Sequence, residues 1–259
     1  MSFKRELELF LLALTFFTRI PVPVRLEYSL EGLSRASRYF GLVGTLVGLL
    51  SALVFYLAQL AFPPSVAVVL AMVASVLITG GFHEDGLADT ADGFGGAFER
   101  ERKLDIMKDS RLGSYGALAL ILALLFKFQL LSELALYSAS SVVGALILGH
   151  TLSRAFAASF IFSHTYVRDD DASKSKPLAQ SMHWDEVLFL MLSAAVVCLL
   201  LTGIGATLVI LATLFITRSL LGRWQKRHIG GYTGDTLGAC QQILELALYL
   251  ALLLLWSQS

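Results

Sequence analysis

The residues best suited to chemistry lie in His83-Glu84-Asp85-Gly86-Leu87-Ala88-Asp89-Thr90-Ala91-Asp92-Gly93. Spacings of four and then three put Asp85, Asp89 and Asp92 on one face of a helix. Three like charges on one face repel, and a divalent cation removes that cost. Mg²⁺ takes oxygen ligands and commonly binds one or two carboxylates together with substrate phosphates. For any single aspartate, a solvated acid paired with a nearby base is the plainer reading; for three at this register beside a Gly cluster, metal binding is favoured. His83 fits three descriptions: a base, a ligand to substrate phosphate, or a polar residue at a membrane interface.

A second segment follows, Asp105-Ile106-Met107-Lys108-Asp109-Ser110-Arg111-Leu112-Gly113-Ser114-Tyr115-Gly116. Asp105 and Asp109 are four apart, and Lys108 and Arg111 supply cations whose geometry suits phosphate oxygens. A Gly-rich helix entry presents free N–H groups to an anion. This segment is expected to form the phosphate side of the same site, with Asp109 as a further carboxylate. A third piece, Gly230-Gly231-Tyr232-Thr233-Gly234-Asp235-Thr236-Leu237-Gly238-Ala239, begins the last apolar stretch. Thr233 and Asp235 resemble N-cap residues, yet the glycines also let a helix or a diphosphate come close; both readings stay open. Acids, glycine turns and bases without a Ser-His-Asp or Cys-His set favour metal-assisted phosphoryl transfer over acyl transfer.

The elements that must position these groups are membrane helices. Of 259 residues, 56% are hydrophobic and 15% charged, against about a quarter charged in soluble domains. Apolar blocks recur along the whole length, so a single domain over residues 1–259 is expected. Lys plus Arg and Asp plus Glu are equal at 20 each, which gives no electrostatic case for nucleic acid. Cys198 and Cys240 have no CxxC or Cys/His spacing and are expected to be buried thiols.

A spanning helix needs about 20 apolar residues. Seven segments qualify or nearly do: 39–62, 66–82, 113–131, 135–162, 187–201, 203–221 and 236–256. Leu7–Phe17 is too short to span and is expected to form a re-entrant or interfacial helix. The fold class is therefore all-α, a polytopic transmembrane bundle in a lipid bilayer. Lys and Arg concentrate before residue 39 and in loops 83–112, 163–186 and 222–235, while the short connections hold none. Under the positive-inside rule the long loops are cytoplasmic. Only Lys127 stands well inside a span, so the charges are expected at the cytoplasmic boundary. That placement suits a surface enzyme better than a transporter.

The three motifs, with Phe16-Phe17-Thr18-Arg19-Ile20-Pro21-Val22-Pro23 before them, occur in an order that resembles the cobalamin synthase (adenosylcobinamide-GDP ribazoletransferase) family. The loop Asp169–Pro177 is less distinctive and carries no role. The resemblance implies a Mg²⁺-dependent transferase of a multi-pass prokaryotic inner membrane, with its active site facing the cytoplasm. Its substrates would be adenosylcobinamide-GDP and α-ribazole or its 5′-phosphate, and GMP would be released. On that reading Asp85, Asp89 and Asp92 hold the metal and Lys108 and Arg111 offset phosphate charge. Asp109 or Asp235 assists, Thr233 borders the substrate, and His83 is a candidate base alongside the aspartates. Self-association and association with other cobalamin-assembly enzymes are left open. The alternatives are a CDP-alcohol-type phosphotransferase, whose Asp-Gly-x-x-Ala-Arg start is broken here because Asp89 follows Ala88, and a membrane transporter.

Overall fold

The computed structural model describes residues 3–24, 26–168 and 179–256. The loop Asp169–Pro177 lies outside them. The described residues form helices α1 (Phe3–Phe17), α2 (Leu30–Ala36), α3 (Phe40–Ala58), α4 (Pro64–Thr79), α5 (Phe82–Gly96), α6 (Arg100–Ile106), α7 (Ser114–Tyr137), α8 (Ala139–Ser163), α9 (Trp184–Ile229) and α10 (Gly234–Trp256), with a 3₁₀ turn at Ser37–Tyr39. Five helical stretches are long and apolar enough to cross a membrane, or six if the bent pair α4–α5 is one span. Leu200 and Ile204 are 79% and 73% exposed, a placement that lipid rather than water accommodates.

α8 is the central helix, packed by α3, α7, α9 and α10. Gly44 and Gly48 let α3 lie directly on it; a Cβ at Gly48 would stand 2.7 Å from the Ile147 Cα. This is the small-xxx-small contact of membrane helices.

The 46 residues of α9 would extend about 69 Å as one straight rod, more than twice the roughly 30 Å hydrocarbon layer. Both of its ends nevertheless meet the C-terminal end of α8. Trp184 packs on Phe162 at 5.2 Å between ring centroids, and Arg218 Nε donates to Ser159 Oγ at 2.8 Å. The chain therefore reverses inside this element, and it does so at Gly203, where φ is 73° and ψ 177°. The apolar segments 187–201 and 203–221 are the two arms of that hairpin.

α1 does not cross the bundle. Near its start, Glu6 Oε2 accepts from Arg38 Nη2 at 2.6 Å and Tyr39 Oη at 2.5 Å. Near its end, Phe17 packs edge-on against Phe40 at 4.4 Å. Both ends thus touch the same end of α3, so α1 lies across the loop end of the bundle. Its buried side chains are Leu9, Leu12, Ala13, Leu14 and Phe17, the apolar face of an amphipathic helix.

One expectation fails. Charge is not confined to the loop end. Inside the bundle, Glu245 of α10 lies 2.6 Å from Lys127 Nζ of α7 and accepts from Tyr249 Oη and Gln241 Nε2 at 2.6 and 2.8 Å. His150 and Arg154 of α8 are buried beside them, 3.0 Å apart. Lys127, Tyr249 and Gln241 satisfy the Glu245 carboxylate, the mutual pairing that makes ionisable residues tolerable at membrane depth, while His150 Nε2 and Arg154 Nε find no hydrogen-bond partner among the described residues.

Candidate active site

α4 ends at Gly80 and Gly81, both with φ 71°, and α5 leaves at 87° to it. The turn carries α5 along the loop end of the bundle, outside the spanning segments. There α5 crosses the start of α10 at close range. A Cβ on Gly86 would meet the Asp235 carbonyl oxygen at 2.8 Å, and one on Gly238 would meet the Gly86 Cα at 3.2 Å. Only paired glycines permit this approach, which sets Asp85 and Asp89 of α5 beside Asp235 of α10.

The carboxylates sense one another. Asp89 is pushed up to about 7, first by burial and then by the charges of Asp235 and Asp85. The answering cation is Arg168, in the strap that leaves α8 and pairs with the chain at Tyr232. The Val167 N–H donates to the Tyr232 carbonyl at 3.0 Å, and the Tyr232 N–H to the Thr165 carbonyl at 2.9 Å. Arg168 Nη2 donates to the Met107 carbonyl at 3.1 Å and stands 3.3 Å from Asp235 Oδ2. That contact is an ion pair without hydrogen-bond geometry, and Asp235 Oδ2 remains buried with no hydrogen bond. The sequence reading counted Arg168 only as a loop charge. Its one signal was position, a cation where the strap returns to the Gly-rich start of α10.

Several expected members are elsewhere. Asp92 is buried and accepts from the N–H groups of Gly113 and Gly116 at 2.7 and 2.8 Å. Both its oxygens serve the N-terminus of α7, so the Gly-rich entry there binds Asp92 itself as its anion. Asp109 and Arg111 pair with each other at 2.5 Å on the outside, which holds the Asp109 carboxyl down at about 2. Lys108 is exposed. Thr233 caps α10: its Oγ1 accepts from the Thr236 N–H at 3.2 Å, and Thr236 Oγ1 accepts from the Thr233 N–H at 2.9 Å. The capping reading therefore holds for Thr233, while Asp235 faces the aspartates of α5.

His83 is carried about 120–160° round α5 from Asp85 and Asp89 and points to a different place. It is 3% exposed and stacks on Phe17 at 5.3 Å. Burial, then the Arg154 charge, depress its pKa well below the usual histidine value, so it is a neutral imidazole. It lines a cleft with Phe16, Phe17, Phe40, Phe82 and Arg154 that borders the α5–α10 crossing at Gly234 and Gly238.

Among the described residues, no three of His, Cys, Asp and Glu are grouped closely enough to hold a metal on their own. The three-aspartate chelate expected from Asp85, Asp89 and Asp92 is thus not preformed. The donors do fit a hard cation in another way. Asp85, Asp89 and the unsatisfied Asp235 Oδ2 offer a few carboxylate oxygens, and Mg²⁺ typically completes such a set with substrate phosphates.

Residues 9–253 match the family model described as cobalamin-5-phosphate synthase. The chain is 84% identical over 258 residues, covering 100% of it and 99% of the relative, to an adenosylcobinamide-GDP ribazoletransferase of Shewanella amazonensis. It is 60% identical over 249 residues, covering 96% of it and 95% of the relative, to the protein of that name from Shewanella frigidimarina. No solved structure matches. With these matches over nearly its whole length, the chain belongs to the cobalamin-5-phosphate synthase family.

Proposed function

We propose that this chain is the adenosylcobinamide-GDP ribazoletransferase of its organism, acting on α-ribazole or its 5′-phosphate. The full-length identity to relatives of that name supports the reading. The observation that carries it is the meeting of Asp85, Asp89 and Asp235 under Arg168 at one end of the bundle. In the inner membrane that end, which collects the basic loops, faces the cytoplasm.

Asp85, Asp89 and Asp235 would hold Mg²⁺ together with the diphosphate. When bound, the cation neutralises phosphate charge and eases departure of the leaving phosphate. The chain's own residues orient the rest. Arg168 lies where charge on the diphosphate oxygens is offset by a planar, fixed guanidinium. The ribazole hydroxyl forms a new O–P bond at the phosphorus attached to cobinamide. The bond to the bridging oxygen breaks, and GMP leaves with that oxygen. A carboxylate oxygen of the same group that the cation leaves free would accept the hydroxyl proton. His83, off this face, is not needed for that transfer.

Asp89→Asn and Asp235→Asn should each abolish GMP release while leaving the melting temperature within a few degrees of the parent. Near-normal turnover in either variant would remove the carboxylate group from the mechanism.

A further inference from the structure

Transfer at this site needs Asp85 and Asp89 held at a fixed bearing to Asp235, and the glycine contact alone does not hold them so. Gly86 and Gly238 let α5 and α10 touch backbone to backbone: a Cβ on Gly238 would stand 3.2 Å from both the Gly86 Cα and the His83 carbonyl oxygen. Crossing angles come from side chains that interdigitate, and two glycines have none. Their contact is a pivot, and the angle needs a second point.

On α10, Asp235, Gly238 and Gln242 follow at spacings of three and four and share one face. On α5, Glu84 and Asp89 lie on opposite sides of Gly86 along the axis. The helices therefore set Asp235 near Asp89 on one side of the pivot and Gln242 near Glu84 on the other. The second meeting is a hydrogen bond, in which Gln242 Nε2 donates to Glu84 Oε1 at 3.1 Å. Gln242 is buried and itself held: its Nε2 also donates to Gln241 Oε1 at 2.9 Å. Gln241 Nε2 donates in turn to Ser153 of α8 and Glu245 at 2.8 Å each, and Glu245 pairs with Lys127 of α7. Asp92 ties the far half of α5 to α7 and leaves its bearing on α10 to Glu84.

We infer that Glu84 and Gln242 are positioning residues of the active site: their hydrogen bond fixes the angle at which α5 crosses α10, and so the place of Asp85 and Asp89 opposite Asp235. The inference rests on the transferase reading and gives that site two residues that act through its carboxylates. The lever is short. Asp89 stands about 4.5 Å along α5 from the pivot, so a swing of about 15° moves it by about 1 Å, a displacement that can cost about a hundredfold in rate. Glu84 serves here as an acceptor more than as a charge, since Arg154 is balanced by Glu245 ahead of Glu84.

The test uses the full-length protein in detergent. Glu84→Ala and Gln242→Leu each remove the bond, whereas Glu84→Gln keeps an acceptor oxygen for Gln242. In the first two, the kcat for GMP release should fall about tenfold or more, with both substrate KM values changed less than about threefold. The double variant should be no slower than the slower single one, because the two residues act as one unit. Glu84→Gln should return to within about threefold of the parent. Hydrogen exchange gives a readout apart from turnover: in Glu84→Ala the amides of α5 should exchange faster while those of α8 keep the parent's protection. Glu84 is only partly buried, so its two variants carry the test if Gln242→Leu does not fold. An unchanged kcat in Glu84→Ala, losses that add in the double variant, or a Glu84→Gln protein as slow as Glu84→Ala would overturn the assignment. A parent protein that releases no GMP would instead refute the transferase reading, and the exchange of α5 would still decide whether the pair fixes that helix.

Discussion

Asp92 separates scaffold from chemistry most sharply. Its two oxygens accept the N–H groups of Gly113 and Gly116 at 2.7 and 2.8 Å, at a helix start whose N-cap is a glycine with no side chain to offer. Hydrogen bonds to a charged acceptor contribute about 1.5–3 kcal/mol each. An asparagine keeps one acceptor and turns an NH₂ toward the other N–H, losing one bond. It also removes the negative charge at the helix N-terminus, worth a further 0.3–1 kcal/mol or so. Asp92→Asn should therefore destabilise the protein by about 2–4 kcal/mol, and Asp92→Ala, which strands both donors, by more. The buried free thiols Cys198 and Cys240 provide the assay, since a thiol-reactive dye reports heating-induced exposure in detergent. Activity measured well below the lowered midpoint should stay within several-fold of the parent. An Asp92→Asn protein that melts like the parent and yet is inactive would refute this reasoning and return Asp92 to the chemistry.

Further outcomes follow from the same geometry. Because Asp89 in the folded protein sits near 7, above the roughly 4 of an unfolded aspartate, folding takes up a proton between those values. The stability this gives is fully present at low pH and is lost as pH rises through 7. Without divalent cations the melting temperature should fall from pH 5 to pH 8, Mg²⁺ should restore it at the alkaline end, and Asp89→Asn should lessen the fall, leaving the part owed to Asp235, which burial raises to about 6. Glu245→Gln leaves Lys127 buried without its 2.6 Å partner and should cost about 3–5 kcal/mol, while adding Lys127→Met should recover much of that in a melting series. Arg111→Ala, which breaks an exposed pair, should leave the melting temperature unchanged with little effect on turnover. Arg168→Ala should cut turnover at least tenfold while the melting temperature holds.

Much of this fold was readable from periodicity and charge. The break between the apolar segments 187–201 and 203–221 and the short Leu7–Phe17 helix follow from how far an apolar run can reach before it must turn, whereas the 66–82 run ends early at Thr79 and the start of the expected 83–112 loop is helical, as α5. Register along one helix also placed Asp85 and Asp89 together. It could not show which helix the face meets. Asp235 joins them through a glycine crossing between residues about 150 positions apart in sequence, and Arg168 through a strap that pairs with Tyr232. Asp92 looked like a third ligand because a carboxylate that binds a distant helix start has the same local spacing as one that binds a metal. The Lys127–Glu245 network was hidden for a related reason: a single glutamate on an apolar helix reads as an interruption until its partners on α7 and α8 are seen.

The central claim is that this membrane protein transfers a cobinamide phosphate to ribazole through the α5–α10 carboxylates. The most direct measurement is GMP release from adenosylcobinamide-GDP and α-ribazole by the purified full-length chain, with Mg²⁺ and after chelation, for the parent and Asp89→Asn. Stoichiometric, Mg²⁺-dependent GMP release by the parent and none by the variant is the expected result. Release that survives chelation and the substitution, or no release by the parent under any condition, would contradict the account.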